Sequence, residues 1–223
     1  GAANGIVKAV RQVYAFAIAR EMATANPAKE VPYLPAVRPD GIPAWTADDV
    51  RKFEEAHPIG TKARLALMLF TEFGQRISDV HRLGWHMVDG EELSFRQHKN
   101  RNRRPVDLVL PFPKRLRAVL DQTPHGVDAF LVNDFGNPFA STAAFGNKFR
   151  DWCRTAGLDG KSAHGLRKYF AATLAEKGAS DREIMSMTGH KTSKEVDRYT
   201  KSASQKRLAK NARERMERAN FVP

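Results

Sequence analysis

Hydrophobic residues recur at helical spacing along most of the chain. Residues 4–25 carry them at i, i+3 and i+4, which predicts an amphipathic helix that has Asn4 as its N-cap and packs on a neighbour. Thr46 and Asp49 have the spacing of a capping box and predict a helix to about Ala56. By the same reasoning we expect further helices at about residues 61–73, 76–84, 112–121, 141–156, 164–177, 181–188, 192–199 and 202–218.

Residues 85–111 alternate between apolar and polar positions instead. The pair Asp89-Gly90 is typical of a hairpin turn. After it, the alternating positions are Leu93, Phe95 and Gln97. The pattern predicts two hairpins of a small antiparallel sheet, and the fold class is therefore mainly α with a small antiparallel β-sheet (α+β).

Residues 26–43 interrupt the helical pattern with five prolines and one glycine. Proline cannot continue a helix, and it drives the residue before it into an extended conformation. We therefore expect an extended linker and a domain boundary here.

The composition is that of a folded, strongly basic domain. The chain has 223 residues, 42% of them hydrophobic, and 37 Lys and Arg against 25 Asp and Glu, a net charge of +12. Nucleic acid is the commonest partner of such a domain, although an anionic membrane or simple solubility would also account for the charge. Residues 99–104 are especially basic and form either a solvated turn or a finger that enters a DNA groove.

The sequence excludes a membrane-spanning helix, and it excludes a protein built on disulfides or on a CxxC metal site. The longest apolar run, residues 63–73, is too short to cross a bilayer and contains two charged residues. Cys153 is the only cysteine, so the chain has neither a disulfide framework nor a CxxC metal site, and we expect a reducing compartment. A metal nuclease is the weakest alternative, because His81 and His86 lack the carboxylate or cysteine spacing of such a site.

Two segments place polar side chains at helix edges. In "TEFGQRISD", Gly74 ends an apolar helix, and Arg76 and Asp79 follow at a spacing that also suits a simple ion pair. In "HGLR", His164 and Arg167 share one helix face. A guanidinium matches phosphate oxygens and an imidazole exchanges protons near neutral pH, although an ordinary surface pair is the alternative.

A third segment, "TGHKTSKEVDRYTK", lets the chain leave a helix at Gly189, next to His190, and places Tyr199 nine residues later. A lone tyrosine is usually a core or interface residue. A phenol has a pKa of about 10 and attacks phosphorus poorly unless nearby cations stabilise the phenolate. Two arginines and a histidine would supply the donors that phosphoryl transfer without a metal requires.

In this order, the motifs resemble those of the catalytic domain of a tyrosine recombinase of the phage integrase family. The matching elements, over roughly residues 45–205, are "FGQRISD", Lys99 in the hairpin, "HGLR", "TGH" and Tyr199. Each motif is weak alone, and their order and spacing carry the resemblance. The resemblance implies that Tyr199 attacks the scissile phosphate, giving a 3′-phosphotyrosyl link and a free 5′-hydroxyl.

The resemblance also implies roles for the other residues. Arg76 and Arg167 would hold the non-bridging oxygens, and Asp79 would support the first arginine. Lys99 would protonate the leaving 5′-oxygen, His164 would handle the tyrosine proton, and His190 would hydrogen-bond the phosphate. Three further cations share the hairpin tip with the lysine, namely Arg101, Arg103 and Arg104. No cofactor or metal is expected, because the phosphotyrosyl link conserves the bond energy for rejoining.

The resemblance further implies a division into domains. Residues 1–44 would be the last helix of a truncated core-binding domain plus a linker, residues 45–205 the catalytic domain, and residues 206–223 a basic C-terminal helix or tail. Because the first residue is not methionine, we expect a fragment or a processed chain. The tail would dock on a neighbouring protomer, fold back on its own domain, or fray.

We therefore expect a site-specific recombinase that integrates or excises a phage or other mobile element. Its partner would be double-stranded DNA, with a homotetramer on DNA for the full-length protein, a monomer for this fragment, and no membrane. The location would be cytoplasmic and nucleoid-associated. A type IB topoisomerase that relaxes supercoils and a DNA-binding protein without catalysis are the alternatives.

Overall fold

The fold is mainly helical, with one small antiparallel sheet, as predicted. A computed structural model describes residues 2–35, 41–99, 101–200 and 205–218, with the side chains of all except 198–200 and 205–208. The chain forms two compact units, Gly1–Ile42 and Pro43–Pro223. None of the helices in the described part of the chain is long and apolar enough to cross a membrane.

The first unit contains helix α1, Ala2–Ala19, and a proline-rich segment that runs along it. The prediction that Asn4 caps this helix is wrong: the helix begins at Ala2, and the Asn4 amide instead exchanges two hydrogen bonds of 2.8 Å with the backbone of Leu34. Arg11 donates to the carbonyls of three residues of the same segment, Ala28, Lys29 and Val31. Residues 28–34 of the predicted linker are therefore held by side chains of α1.

The helix is also shorter than residues 4–25, and its apolar face is not packed as predicted. No residue of α1 is buried, and Ile6 and Val13 are about two-thirds exposed. Helical periodicity reports that one face is apolar but does not identify what covers it.

The second unit contains the remaining helices, which are α2 Ala47–Ala56, α3 Lys62–Phe73, α4 Ile77–Val80, α5 Lys114–Asp121, α6 Thr142–Thr155, α7 Ala163–Glu176, α8 Asp181–Thr188, α9 Ser193–Thr200 and α10 Gln205–Arg218. The predicted capping box of α2 is confirmed, since Thr46 and Asp49 bond reciprocally. The last predicted helix was expected from residue 202, and residues 202–204 lie outside the described residues.

The core of this unit consists mainly of aromatic and leucine side chains between α2, α3 and α6. Phe70 is fully buried and lies edge-on to Phe149, with ring centroids 5.2 Å apart. Phe149 in turn stacks on Phe53 at 5.7 Å. These contacts fix α3, which ends at the site described below.

The sheet comprises β1 Val88–Asp89, β2 Glu92–Arg96 and β3 Asp107–Pro111, in the order β1-β2-β3 and antiparallel throughout. Leu93 and Phe95 are buried, as their alternation predicts. The first hairpin turns at Gly90, which has a φ of 57°. Arg96 faces Asp107 across the second hairpin, so the basic residues 99–104 lie at its tip.

Helix α10 packs on its own unit. The Arg215 guanidinium donates to the carbonyl of Gly178, in the turn between α7 and α8. The side chain of Asn211 contacts the same glycine, where an added Cβ would lie 3.0 Å from its Nδ2. Helix α10, the described part of the tail, therefore contacts its own chain, and docking on a neighbouring protomer stays a prediction.

Candidate active site

Five of the six predicted site residues line one open pocket of about 420 Å³. They come from four separate parts of the chain, namely Arg76 before α4, Lys99 in the hairpin, His164 and Arg167 on α7, and His190 after α8. Thr192, Lys194 and Glu195, at the start of α9, complete the lining. Segments as much as 114 residues apart in sequence thus present their cationic and imidazole side chains to a common space.

The close approach of α3 to α7 builds one wall of the pocket. Gly74 ends α3 with a φ of 58°, and a Cβ at this position would lie 2.0 Å from the ring of Phe170. Only glycine satisfies both the left-handed backbone and this contact. The close packing brings the Gly74 carbonyl within 2.9 Å of Nη1 of Arg167, so the second arginine is anchored by the helix end that precedes the first.

Arg167 is almost completely buried, with 2% of its surface exposed. Its Nη2 donates to the carbonyl of Thr188 and to Nε2 of His190, both at 2.9 Å. Bonds to backbone carbonyls satisfy donors without adding negative charge, so the guanidinium keeps its positive charge at the pocket.

The bonds of His190 define its tautomer. A guanidinium can only donate, so Nε2 must accept from Arg167 and the proton must lie on Nδ1. Nδ1 is 2.8 Å from the hydroxyl of Thr188, which itself lies 2.6 Å from the carbonyl of Ile184. Burial, followed by the charges of Arg167 and Arg76, lowers the pKa of His190 to about 4, so the ring is neutral at physiological pH.

His164 lies one turn before Arg167 on α7 and is more exposed than it. Partial desolvation, and then the positive charges of Lys168 and Arg167, lower its pKa below the ordinary value for histidine. A neutral imidazole with an open face is suited to accept a proton.

Asp79 does not form the simple ion pair with Arg76 that its i, i+3 spacing allowed. Among the described side chains, no ion pair within 4.0 Å joins the two, and Arg76 donates to Gln97 instead. The carboxylate accepts a 2.6 Å hydrogen bond from the backbone N–H of His98, the residue before Lys99. Burial raises the pKa of Asp79, opposed by that hydrogen bond and by the charges of Arg76 and Arg167.

Lys99 is exposed at the base of the hairpin tip. It lines the main pocket and also a smaller one of about 140 Å³ that includes Arg104 and Lys191. The Lys191 ammonium donates to the carbonyl of Arg104 at 3.3 Å, which links the hairpin to the turn that follows α8. Within the described part of the chain, no carboxylate lies within 4.0 Å of Arg101, Arg103 or Arg104, so their charge faces solvent.

The prediction for Tyr199 concerns a side chain outside the described residues. Its backbone lies in α9, which packs against α7 and α8. Thr192 and Lys194, in and just before the first turn of α9, line the same pocket as the arginines. The helix that carries the tyrosine therefore begins at the pocket.

Sequence reasoning missed two buried glutamines beneath the pocket, Gln75 and Gln97. The alternation of Leu93 and Phe95 predicts a strand position for Gln97 but no partner, and Gln75 lies between Gly74 and Arg76 with no pattern of its own. The available signals were the buried side of that alternation for Gln97 and the adjacency of Gln75 to Arg76. The described residues contain no group of three or more His, Cys, Asp or Glu side chains arranged to hold a metal ion, and the expectation of no cofactor stays a prediction.

Comparison with known proteins gives consistent results. The sequence model of the phage integrase family matches residues 46–206. The tyrosine recombinase XerD of Chlorobaculum tepidum is 30% identical over 215 residues, which span 87% of this chain and 68% of that protein.

Two solved structures show the same fold. The XerA recombinase matches with a TM-score of 0.61 and 19% identity, over 93% of this chain and 74% of the other. A lambda integrase fragment, crystallised as a dimer bound to a COC′ core site, matches with a TM-score of 0.70 and 22% identity, over 87% and 71%.

Proposed function

We propose that the chain, which belongs to the phage integrase family, is the catalytic part of a tyrosine site-specific recombinase that cleaves and rejoins double-stranded DNA through a 3′-phosphotyrosyl intermediate. The observation that carries this proposal is the convergence of Arg76, Lys99, His164, Arg167 and His190 on one pocket. By analogy with the family name, we propose that it integrates or excises a phage or another mobile element.

The residues divide the chemistry as follows. The Tyr199 oxygen attacks the scissile phosphorus while the bond from phosphorus to the 5′-oxygen breaks. Arg76 and Arg167 neutralise the charge that builds on the non-bridging oxygens. His164 takes the phenolic proton, which its lowered pKa permits at neutral pH.

The leaving 5′-oxygen needs a proton, and Lys99 supplies it as an ammonium group on the exposed hairpin. Rejoining reverses these steps, with a 5′-hydroxyl as the nucleophile. His190 is the predicted phosphate donor, and that role requires its Nε2 to carry a proton in place of the bond it accepts from Arg167. Asp79 supports this set by bonding His98, next to Lys99.

DNA is the substrate that the charge favours. Arg101, Arg103 and Arg104 are exposed at the hairpin tip, and Lys99 and Lys191 line the adjoining pocket. Such a cluster would bind successive phosphates of one backbone, with an affinity that falls as salt rises. We propose that the full-length protein assembles as a homotetramer on DNA, and that this chain alone is monomeric.

Trapping the covalent intermediate tests the proposal. Nicked duplexes tiled across the DNA that flanks the gene of this chain are incubated with the protein, so that the short strand diffuses away after cleavage. We expect one duplex to give a protein–DNA adduct that resists denaturant and is absent for Tyr199→Phe. No adduct with any duplex would contradict the proposal, and rapid relaxation of a plasmid without that sequence would identify a topoisomerase instead.

A further inference from the structure

Gln97 and Gln75 lie side by side beneath the pocket, and the chemistry above uses neither of them. Gln97 is 1% exposed and Gln75 is completely buried. Burying an amide costs free energy unless its donors and acceptor are all bonded. Two adjacent buried amides next to cationic groups therefore need a structural or functional explanation.

The two amides form a continuous hydrogen-bonded chain. Nε2 of Gln75 donates to the carbonyls of Phe73 and Met187, each at 2.7 Å. Oε1 of Gln75 accepts from Nε2 of Gln97 at 2.7 Å. Nε2 of Gln97 also donates to the carbonyl of Thr188 at 2.9 Å, and its Oε1 accepts from Nη1 of Arg76 at 2.9 Å.

This chain has only one workable direction. Both N–H groups of each amide point at oxygens that can only accept, so the Gln97 oxygen must face Arg76. A flipped amide would place its NH₂ against the guanidinium and leave the Thr188 carbonyl without this donor. The buried network therefore determines that Arg76 meets the oxygen of Gln97, a hydrogen-bond acceptor, and not its NH₂ group.

The network also reaches the other half of the pocket. The Thr188 carbonyl accepts from Gln97 and from Arg167, each at 2.9 Å. The next residue, Gly189, has a φ of 71°, and a Cβ there would lie 2.6 Å from Nε2 of Gln97. The turn that leads to His190 therefore rests directly on the amide.

We infer that Gln97 is a positioning residue, which holds Arg76 toward the scissile phosphate and couples it to Arg167 and the His190 turn through the Thr188 carbonyl. An amide oxygen orients the guanidinium and leaves its positive charge intact. A carboxylate at the same position would cancel that charge. This assignment rests on the proposed function, because it concerns the orientation of an arginine that contacts phosphate.

The test measures the rate of adduct formation on the nicked duplex identified above. Gln97→Met keeps the length of the side chain but removes its hydrogen bonds, and we expect a loss of about 10²-fold. Gln122→Met alters an exposed glutamine that lines neither pocket around Lys99, and it should leave the rate unchanged.

A double-variant cycle separates positioning from general loosening of the fold. If Gln97 acts through Arg76, Gln97→Met should cost little once Arg76→Ala is present. Equal losses in both backgrounds would overturn the inference, as would a wild-type rate for Gln97→Met. Either result leaves the proposed function intact as long as the unaltered chain forms its adduct.

The neutral acceptor gives a second readout. Gln97→Glu retains an oxygen toward Arg76 but adds negative charge and loses both donors. In a Tyr199→Phe background, which binds DNA without cleaving it, we expect Gln97→Glu to weaken binding of the nicked duplex by about tenfold or more. In the chain that retains Tyr199, it should increase the half-saturating DNA concentration for adduct formation. Unchanged binding and rate would contradict the role assigned to the amide.

Discussion

The two sides of the pocket differ in how their positive charges are held. On the α7 side, Arg167 is buried, and its bonds to the carbonyls of Gly74 and Thr188 fix it before any substrate arrives. On the hairpin side, Lys99 and Arg103 are exposed, and no described carboxylate within 4.0 Å pairs with them. The comparison indicates that the fold itself organises one half, whereas DNA must supply the partners of the other.

If this contrast holds, truncating the buried arginine should affect both folding and chemistry. Arg167→Ala leaves the carbonyls of Gly74 and Thr188 short of a donor. We expect the free energy of unfolding to fall by about 2 kcal/mol and adduct formation to fall by about 10³-fold. Urea unfolding and the nicked-duplex assay measure the two effects, and an unchanged midpoint would break the contrast.

On the exposed side, chemistry should be lost without loss of stability. Lys99→Ala should slow cleavage by about 10²-fold or more while changing the free energy of unfolding by less than about 0.5 kcal/mol. In a substrate with sulfur in place of the bridging 5′-oxygen, the leaving group departs as a thiolate and needs no acid. This substrate should therefore restore the cleavage rate of Lys99→Ala.

The matched control for this prediction is another cation of the same tip. Arg101→Ala should weaken DNA binding and reduce its salt dependence, yet gain nothing from the sulfur substrate. If Arg101→Ala were rescued and Lys99→Ala were not, the arginine would be the acid and the assignment of Lys99 would be wrong.

The smallest expected effect is on the pH dependence of stability. Burial comes first among the causes that lower the pKa of His81 and His190 to about 4, assisted by Arg82 for the former and Arg167 for the latter. An unfolded histidine titrates near 6.5, so below that pH the unfolded chain binds more protons. The stability that these rings contribute is present above pH 6.5 and is lost as the pH falls toward 4.

His81→Gln isolates one of these rings. Because glutamine does not titrate, the free energy of unfolding of the variant should fall less steeply between pH 6.5 and 4. The difference in slope should correspond to about one bound proton. Asp79, whose pKa is raised, acts in the opposite sense, since stability is lost as the pH rises through its titration. Thermal unfolding across this range measures the slope, and parallel profiles for the variant and the unaltered chain would contradict the assignment.

Local patterns were sufficient to predict most of the second unit. The capping box of Thr46 and Asp49, the glycine end of α3 and the alternation of Leu93 and Phe95 each depend on near neighbours in sequence. The convergence on one pocket was expected only because the motifs resemble a family, since no spacing rule relates Arg76 to His190.

What could not be predicted depends on contacts between distant segments. Local sequence predicts that Asn4 caps a helix, because it does not reveal that Leu34 lies beside this residue. The spacing of Asp79 from Arg76 allows an ion pair, and it does not reveal that the backbone N–H of His98 bonds the carboxylate instead. Gln97 shows the same limit, because an alternating strand predicts its burial but not its bond to Thr188, 91 residues away.

The measurement that tests the central claim most directly is the identity of the residue joined to DNA. The adduct is digested with protease, and the nucleotide-bearing peptide is sequenced by mass spectrometry. The chain has four tyrosines, and one of them, Tyr169, lies on α7 two residues after Arg167. We predict attachment at Tyr199 through a 3′-phosphate, with a free 5′-hydroxyl on the other strand end. Attachment at Tyr169, or a link to a 5′-phosphate, would contradict the account.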